Sequence, residues 1–221
     1  MRRTALAIAA LVLVVAGTSS AQGFSEYVSR TDSFTVSFPG EPTVRDTTWS
    51  SEGGVTLPSR VYSVENTRGR FSMTVVDYKD AERLHTERAT LCQKNKAEGD
   101  TCMNSWRGDV GGAVVWGTWQ FLKRNARLTF YSWYIADLVP GHILQLLNQD
   151  ESRTFAAVNM HGTRLYILEA TVPRGAPAPG LFQQSLMFLD EQGNIIRYRN
   201  YYSPYHSDEW KFPAPPPPRA R

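Results

Sequence analysis

The stretch from Arg153 to Asp190 constrains the fold of this chain most strongly. Two short apolar runs, Phe155 to Val158 and Leu165 to Val172, are separated by His161-Gly162. Glycine readily adopts the positive φ angle that a tight hairpin turn requires, so these runs predict two antiparallel strands. Both faces of the second strand are largely apolar, which is typical of a strand inside a sheet that other elements cover.

A helix is predicted directly after this hairpin. Pro173, Pro177 and Pro179 end the second strand, because proline cannot donate a hydrogen bond to a strand ladder. The segment LFQQSLMFLD follows, and its apolar residues fall at i, i+4 and i+7, on one helix face: Phe182, Leu186 and Leu189. The whole stretch therefore predicts a sheet with a helix packed on it.

The rest of the chain adds strands on both sides of one clear helix. Alternation of apolar and polar residues, as in Phe34 to Phe38, predicts strands with one buried face. The Pro140-Gly141 pair predicts a type II turn between two of them, and residues 79–93 predict a helix rich in good helix formers. The strands are predicted at 25–30, 33–39, 43–51, 55–64, 70–78, 128–135, 143–147 and 195–202.

The segment from Val110 to Arg124 allows two interpretations. Val110, Ala113, Gly117 and Phe121 approximate one helical stripe, whereas the valines, tryptophans and threonine of the segment have the bias of a strand. A basic and polar exit after the segment favours the helix. The strand remains the alternative.

Both ends of the chain differ in composition from its middle. Residues 1–21 have the layout of a signal peptide, with two arginines, an apolar run too short to span a membrane, and small residues before a cut after Ala21. Residues 22–203 then form one α+β domain, and residues 204–221 form a proline-rich tail that is expected to be extended and exposed. The mature chain is therefore expected to be soluble and either periplasmic or secreted.

The charge balance argues against nucleic acid as a partner. Loss of the leader removes two arginines and no acidic residue, which lowers the formal net charge from +3 to +1. Nucleic-acid-binding proteins usually carry a concentrated basic face, whereas the basic residues here are interspersed with acidic ones.

The only two cysteines, Cys92 and Cys102, are expected to form a disulfide. In an oxidising compartment this pairing is the default. A loop of this size would be stabilised by about 2.5–3 kcal/mol in the chain-entropy description. A redox pair is the alternative, but the spacing is not C-x-x-C.

No local catalytic, cofactor or metal motif occurs. There is no G-x-S-x-G elbow, dinucleotide fingerprint, Walker loop or H-E-x-x-H pair, so no catalytic, cofactor-binding or metal-binding residue is predicted. Arg107-Gly108-Asp109 is interpreted as a loop before a helix. The four histidines are scattered without metal-ligand spacing: His85, His142, His161 and His206. A Ser-His-Asp set assembled by folding stays open.

Two aromatic groups are candidate contact residues. The first comprises Trp116, Trp119, Phe130, Tyr131, Trp133 and Tyr134. A hydrophobic ligand pocket is one interpretation of it, and an ordinary core is the favoured one. The second comprises Tyr198, Tyr201, Tyr202 and Tyr205, interleaved with Arg197 and Arg199. It suits a surface contact because interfaces favour tyrosine and arginine, and a strand edge that shields its neighbours is the alternative.

The chain resembles exported bacterial members of the PsbP and Mog1-like group. The resemblance rests on F-x-V-x-F-P-G-x-P at Phe34 to Pro42 and on the closing pattern RLYIL, a proline loop and LFQQSLMFLD. It implies an α+β fold, a mostly antiparallel twisted sheet covered by helices in an α/β/α sandwich. The segment between the cysteines and the proline-rich tail depart from the pattern.

Members of this group serve as assembly or accessory factors and share no catalytic motif, so the resemblance assigns no residue a role. The function expected is an exported, non-catalytic accessory or binding protein with a protein or small-molecule partner in the cell envelope. A secreted hydrolase and a carrier of small hydrophobic ligands are the alternatives.

Overall fold

The computed structural model describes residues 23–95 and 102–203. The signal peptide predicted at 1–21, the proline-rich tail at 204–221, Tyr205, His206 and most of the segment between the cysteines lie outside these residues. None of the helices in the described part is long and apolar enough to cross a bilayer.

The described chain forms two antiparallel sheets and three helices. Five strands come first: β1 Ser25–Ser29, β2 Phe34–Phe38, β3 Thr43–Ser50, β4 Thr56–Asn66 and β5 Gly69–Asp77. Two helices follow, α1 Ala81–Lys94 and α2 Trp106–Leu122. The remaining elements are β6 Arg127–Ala136, β7 Val139–Leu147, β8 Arg153–His161, β9 Arg164–Val172, α3 Gly180–Gln183 and β10 Met187–Phe188.

The larger sheet has seven strands in the order β3-β4-β5-β9-β8-β7-β6, and the smaller one has three in the order β1-β2-β10. Every strand pair is antiparallel. The predicted α+β class with a mostly antiparallel sheet is therefore confirmed, and the hairpin of β8 and β9 lies at its centre with Gly162 at a φ of 56°.

Each face of the larger sheet buries its own core. Tyr166 and Leu168 of β9 face the smaller sheet and α3, whereas Leu165 and Ile167 face α1 and α2. Successive side chains of a strand point to opposite faces, so a strand covered on both sides must be apolar throughout. The apolar pattern of β9 is explained by this double cover.

A buried aspartate fastens the smaller sheet to the larger one. Asp32, in the β1–β2 turn, accepts a hydrogen bond of 2.5 Å from the Tyr62 hydroxyl. It also forms an ion pair with Arg60 at 3.2 Å, and both of these partners belong to β4. Its carbonyl oxygen accepts a bond of 2.8 Å from the Tyr166 hydroxyl. Burial raises the pKa of Tyr62 to about 12, so its hydroxyl remains a donor at neutral pH.

The ambiguous segment is helical, which confirms the favoured interpretation. Ala113, Gly117 and Phe121 are buried on one face of α2 against the larger sheet. A Cβ atom at Gly117 would lie 3.0 Å from Val158 Cγ1, so glycine lets the helix lie close to β8. The helix also begins earlier than predicted, at Trp106, so Arg107-Gly108-Asp109 lies in its first turn and not in a preceding loop.

Three local predictions are wrong. The turn between β6 and β7 lies at Asp137 and Leu138, with φ of 45° and 66°, and Pro140-Gly141 belongs to β7. The helix predicted over residues 181–190 is limited to the single turn of α3. The segment then becomes the short strand β10, which pairs with β2. Residues 195–202 form no strand, and Ile195 makes only an isolated bridge to Leu189.

Candidate functional site

The outer surface of α2 is apolar although it faces solvent. Residues 110–122 of this helix contain no charged side chain. Val115, Trp119 and Leu122 follow the spacing i, i+4 and i+7, and they are 60%, 50% and 38% exposed. A surface helix normally places polar residues opposite its buried stripe, so α2 has a second apolar face that the described chain leaves uncovered.

Strand β6 forms an exposed apolar edge of the larger sheet. It pairs with β7 alone, so its outer backbone groups have no strand partner in the described part of the chain. Leu128, Tyr131 and Trp133 point to the side of the sheet on which α2 packs, because they pair with Leu146, Leu144 and His142. These three side chains are 45%, 47% and 56% exposed.

The two exposed sets are neighbours. Thr118 Oγ1 lies 2.9 Å from His142 Nδ1, and the ring centroids of His142 and Tyr131 are 5.4 Å apart. Thr118 shares one flank of α2 with Val115 and Leu122, three residues before it and four after it. We refer to Val115, Trp119, Leu122, Leu128, Tyr131 and Trp133 as the aromatic face.

The favoured interpretation of the first aromatic group as core is therefore wrong. Trp119, Phe130, Tyr131 and Trp133 are about half exposed, and Tyr134 is half-buried against the core that faces the smaller sheet. Trp116 is turned toward β3, where its indole donates a 2.9 Å hydrogen bond to the Ser50 carbonyl. The cleft beside Trp133 encloses only about 170 Å³, which is small for a ligand pocket.

The tyrosines near the end of the described chain divide into two roles. Tyr201 is 60% exposed and its ring lies 5.8 Å from that of Trp133, so it extends the aromatic face. Tyr198 and Tyr202 are half-buried instead. Tyr198 hydrogen-bonds His161, and the Tyr202 hydroxyl accepts a 2.7 Å bond from the Gly162 amide. These two residues tie the C-terminal segment to the β8–β9 hairpin.

His161 should make the stability of this attachment depend on pH. Its ring stacks on Phe188 at 4.4 Å, and burial, followed by the positive charge of Arg164, lowers its pKa from 6.5 to about 4. The unfolded chain therefore binds a proton at His161 more readily than the folded chain does. The stabilisation of the folded state by neutral His161 is complete above pH 6.5 and is lost as the pH falls toward 4.

The expected loss is about 3 kcal/mol at most, because each pKa unit corresponds to about 1.4 kcal/mol. Denaturant unfolding of the wild type and of His161→Phe across this range measures the difference. The variant should lose less stability than the wild type on acidification, and parallel curves would contradict the assignment.

A buried histidine–aspartate pair lies between α1 and α2. The spacing of these two residues in the sequence does not indicate that they are in contact. His85 of α1 and Asp109 of α2 have side chains that are 0% and 1% exposed, and Nε2 lies 2.8 Å from Oδ2. The Gly53 amide donates a 3.1 Å bond to Oδ1 of the same carboxylate. Substrate in solution cannot reach this pair, so its role is structural. Its hydrogen bonds fasten α1, α2 and the β3–β4 loop together.

The contact between His142 and the Thr118 hydroxyl does not create a nucleophile. The Thr118 hydroxyl donates a 2.8 Å bond to the Val114 carbonyl, which can only accept. His142 Nδ1 must then donate to the same hydroxyl, so it cannot remove the proton of Thr118. Within residues 23–95 and 102–203, no three histidine, cysteine or acidic side chains converge as metal ligands.

Cys92 at the end of α1 and Cys102 lie at disulfide distance, with Cα atoms 5.2 Å apart. This separation lies within the range that a disulfide allows. The pair closes the segment that joins α1 to α2.

Comparisons with solved structures give a weak similarity. Neither a scan against protein-family models nor a search of curated protein sequences finds a match. The solution structure of cyanobacterial PsbP (CyanoP) from Synechocystis sp. PCC 6803 aligns with 73% of this chain and 86% of that chain, at 13% sequence identity and a TM-score of 0.36. The resemblance to PsbP seen in the sequence thus recurs, weakly, in a solved structure.

Proposed function

We propose that this chain is an exported, non-catalytic binding or accessory protein that contacts a partner protein in the cell envelope through the aromatic face. The observation that carries the proposal is the uncharged, exposed side of α2 beside the aromatic edge strand β6. Tryptophan and tyrosine are the residues on which protein interfaces depend most, and large exposed apolar patches are rare on proteins without partners.

A protein fits this surface better than a lipid bilayer does. The outer N–H and C=O groups of β6 can pair with a strand of another chain, as in β-strand addition, whereas lipid tails offer them no hydrogen bonds. Tyr131, Trp133 and Tyr201 would then flank the added strand. The leader predicted from the sequence and the cysteine pair at disulfide distance support an oxidising compartment outside the cytoplasm.

The hydrolase alternative has little support in the described residues. Its minimal requirement is a nucleophile within reach of a base in a concave, accessible site. His85 is enclosed, His142 donates to Thr118, and His161 is packed between Phe188 and two tyrosines.

Site-specific photo-crosslinking in the native cell envelope tests the proposal. A photoreactive phenylalanine analogue at Trp119 or Tyr131 should give one discrete protein adduct, and its mass distinguishes a second copy of this chain from another protein. The same analogue at Val44 is the matched control, since Val44 is 49% exposed on β3 at the opposite edge. Adducts from Val44 alone, equal adducts at all three positions, or crosslinks only to lipid would contradict it.

A further inference from the structure

A second surface, on the opposite side of the larger sheet, has the composition of a small-molecule site. A cleft of about 500 Å³ lies between the β4–β5 turn and the proline-rich loop before α3. Its walls include Phe24, Phe71, Val172, Pro177 and Pro179, and Arg68 lies at its rim. The volume falls in the range of about 300–1,000 Å³ that is usual for ligand pockets.

The apolar part of the cleft is well ordered by its surroundings. Phe71 and Val172 belong to neighbouring strands and are 2% and 3% exposed, so they form its base. Phe24 packs edge-to-face on Phe71, with centroids 5.9 Å apart. The opposite wall, residues 176–179, is stiffened by two prolines, and Arg153 donates a hydrogen bond to the Ala176 carbonyl.

Arg68 supplies an available positive charge at the rim. Its guanidinium carbon lies 5.7 Å from the centre of the Phe24 ring. In the described part of the chain no carboxylate lies within 4.0 Å of this guanidinium, whereas Arg60, Arg124 and Arg174 all have acidic partners. The turn holds the residue in place, because the Arg68 amide donates a 2.9 Å bond to Asn66 Oδ1.

An apolar cleft with one free guanidinium at its mouth matches a ligand that has an apolar body and one anionic end. We propose that this cleft binds small amphipathic carboxylates, with the acyl or aryl body between Phe24 and the proline loop and the carboxylate on Arg68. Arginine suits this role because its fork of N–H donors binds both oxygens of a carboxylate. The site is separate from the aromatic face, so it extends the proposed function and does not depend on it.

Amide chemical-shift titration of the mature chain with decanoate tests the proposal, with decanol and decylamine as probes of matched length. Decanoate should cause saturable shifts at Gly69, Ala176 and Ala178, and decylamine should bind at least roughly tenfold more weakly, a difference of about 1.4 kcal/mol. Shifts confined to the aromatic face, equal binding of all three probes, or no saturation with decanoate would overturn it.

Two variants separate the charge from the cavity. Arg68→Gln should reduce decanoate affinity to the level of decanol, whereas Arg45→Gln, an exposed arginine on β3, should leave it unchanged. Ala178→Trp should fill the cleft and abolish binding without unfolding the chain, since Ala178 is exposed. Unchanged decanoate binding in Arg68→Gln would contradict the assignment.

A double variant, Trp119→Ser with Trp133→Ser, distinguishes this site from the aromatic face. It should bind decanoate normally even though it no longer binds the partner protein that crosslinks to the aromatic face.

Discussion

Replacing Asp109 with alanine should lower the free energy of unfolding by about 2–5 kcal/mol, because it leaves two hydrogen-bond donors without their acceptor, at about 1–3 kcal/mol each when buried. The carboxylate accepts from His85 at 2.8 Å and from the Gly53 amide at 3.1 Å, and the His85 side chain is fully enclosed. Without it, neither imidazole nitrogen has a partner in the described structure, because Nδ1 already lacks one. Urea unfolding of the purified variant measures this loss.

Two further variants make this result specific to the buried pair. Arg83→Gln on the same helix removes an exposed ion pair with Glu87 and should cost less than about 1 kcal/mol. Replacing both His85 and Asp109 with leucine should restore much of the stability, because it removes the imidazole and the carboxyl group together and leaves neither of them buried without its partner. A loss below about 1 kcal/mol in Asp109→Ala would show that the pair does not fasten the two helices.

Truncation of Phe182 to alanine should cost a similar amount, about 3–5 kcal/mol. Its side chain is completely buried, and its ring lies 5.1 Å from that of Phe38 and 5.4 Å from that of Phe71. It is therefore a main contact between α3 and both sheets. Removing it leaves a cavity that the short helix cannot fill, because the prolines before α3 restrict its movement.

The neighbouring residue provides the control for this truncation. Leu181 lies in the same helical turn but is 69% exposed, so Leu181→Ala should change stability by less than about 0.5 kcal/mol. Thermal or denaturant unfolding of both variants gives the comparison. Equal effects at the two positions would mean that α3 does not pack as described.

The sequence predicts the central part of the fold because local patterns and tertiary packing agree there. The β8–β9 hairpin follows from its apolar runs and from Gly162, and α2 follows from the stripe of Ala113, Gly117 and Phe121. In each case the residues that define the pattern are also those that the larger sheet buries. Agreement between levels is what makes such segments predictable.

Local sequence patterns mispredict the segments that pair with strands far away in the sequence. Leu186 and Leu189 are buried as the helical spacing requires, but an extended strand brings them to the core because Met187 and Phe188 pair with β2. The turn signal of Pro140-Gly141 is overridden by strand pairing, because Gly141 pairs with Tyr134 of β6 on one side and with Asn159 of β8 on the other. Close approach explains the glycine, since a Cβ at Gly141 would lie 2.2 Å from the Val158 carbonyl oxygen.

The sequence reveals only part of the candidate surfaces. The aromatic residues of α2 and β6 could be identified as a group, but whether they lie in the core or on the surface depends on which strand ends the sheet. That order is set by long-range pairing, which leaves β6 at the edge. The cleft beside Arg68 joins residues of the first strand region, the β4–β5 turn and the proline loop, and no local spacing relates these segments.

The most direct test of the central claim is hydroxyl-radical footprinting of the protein in intact cells and after purification. If a partner covers the aromatic face, Trp119 and Trp133 should be oxidised severalfold more slowly in cells than in the purified chain. Leu181, which lies away from that face and is 69% exposed, should react equally in both samples. Equal oxidation of Trp119 and Trp133 in the two samples would contradict the claim that this face is a binding surface.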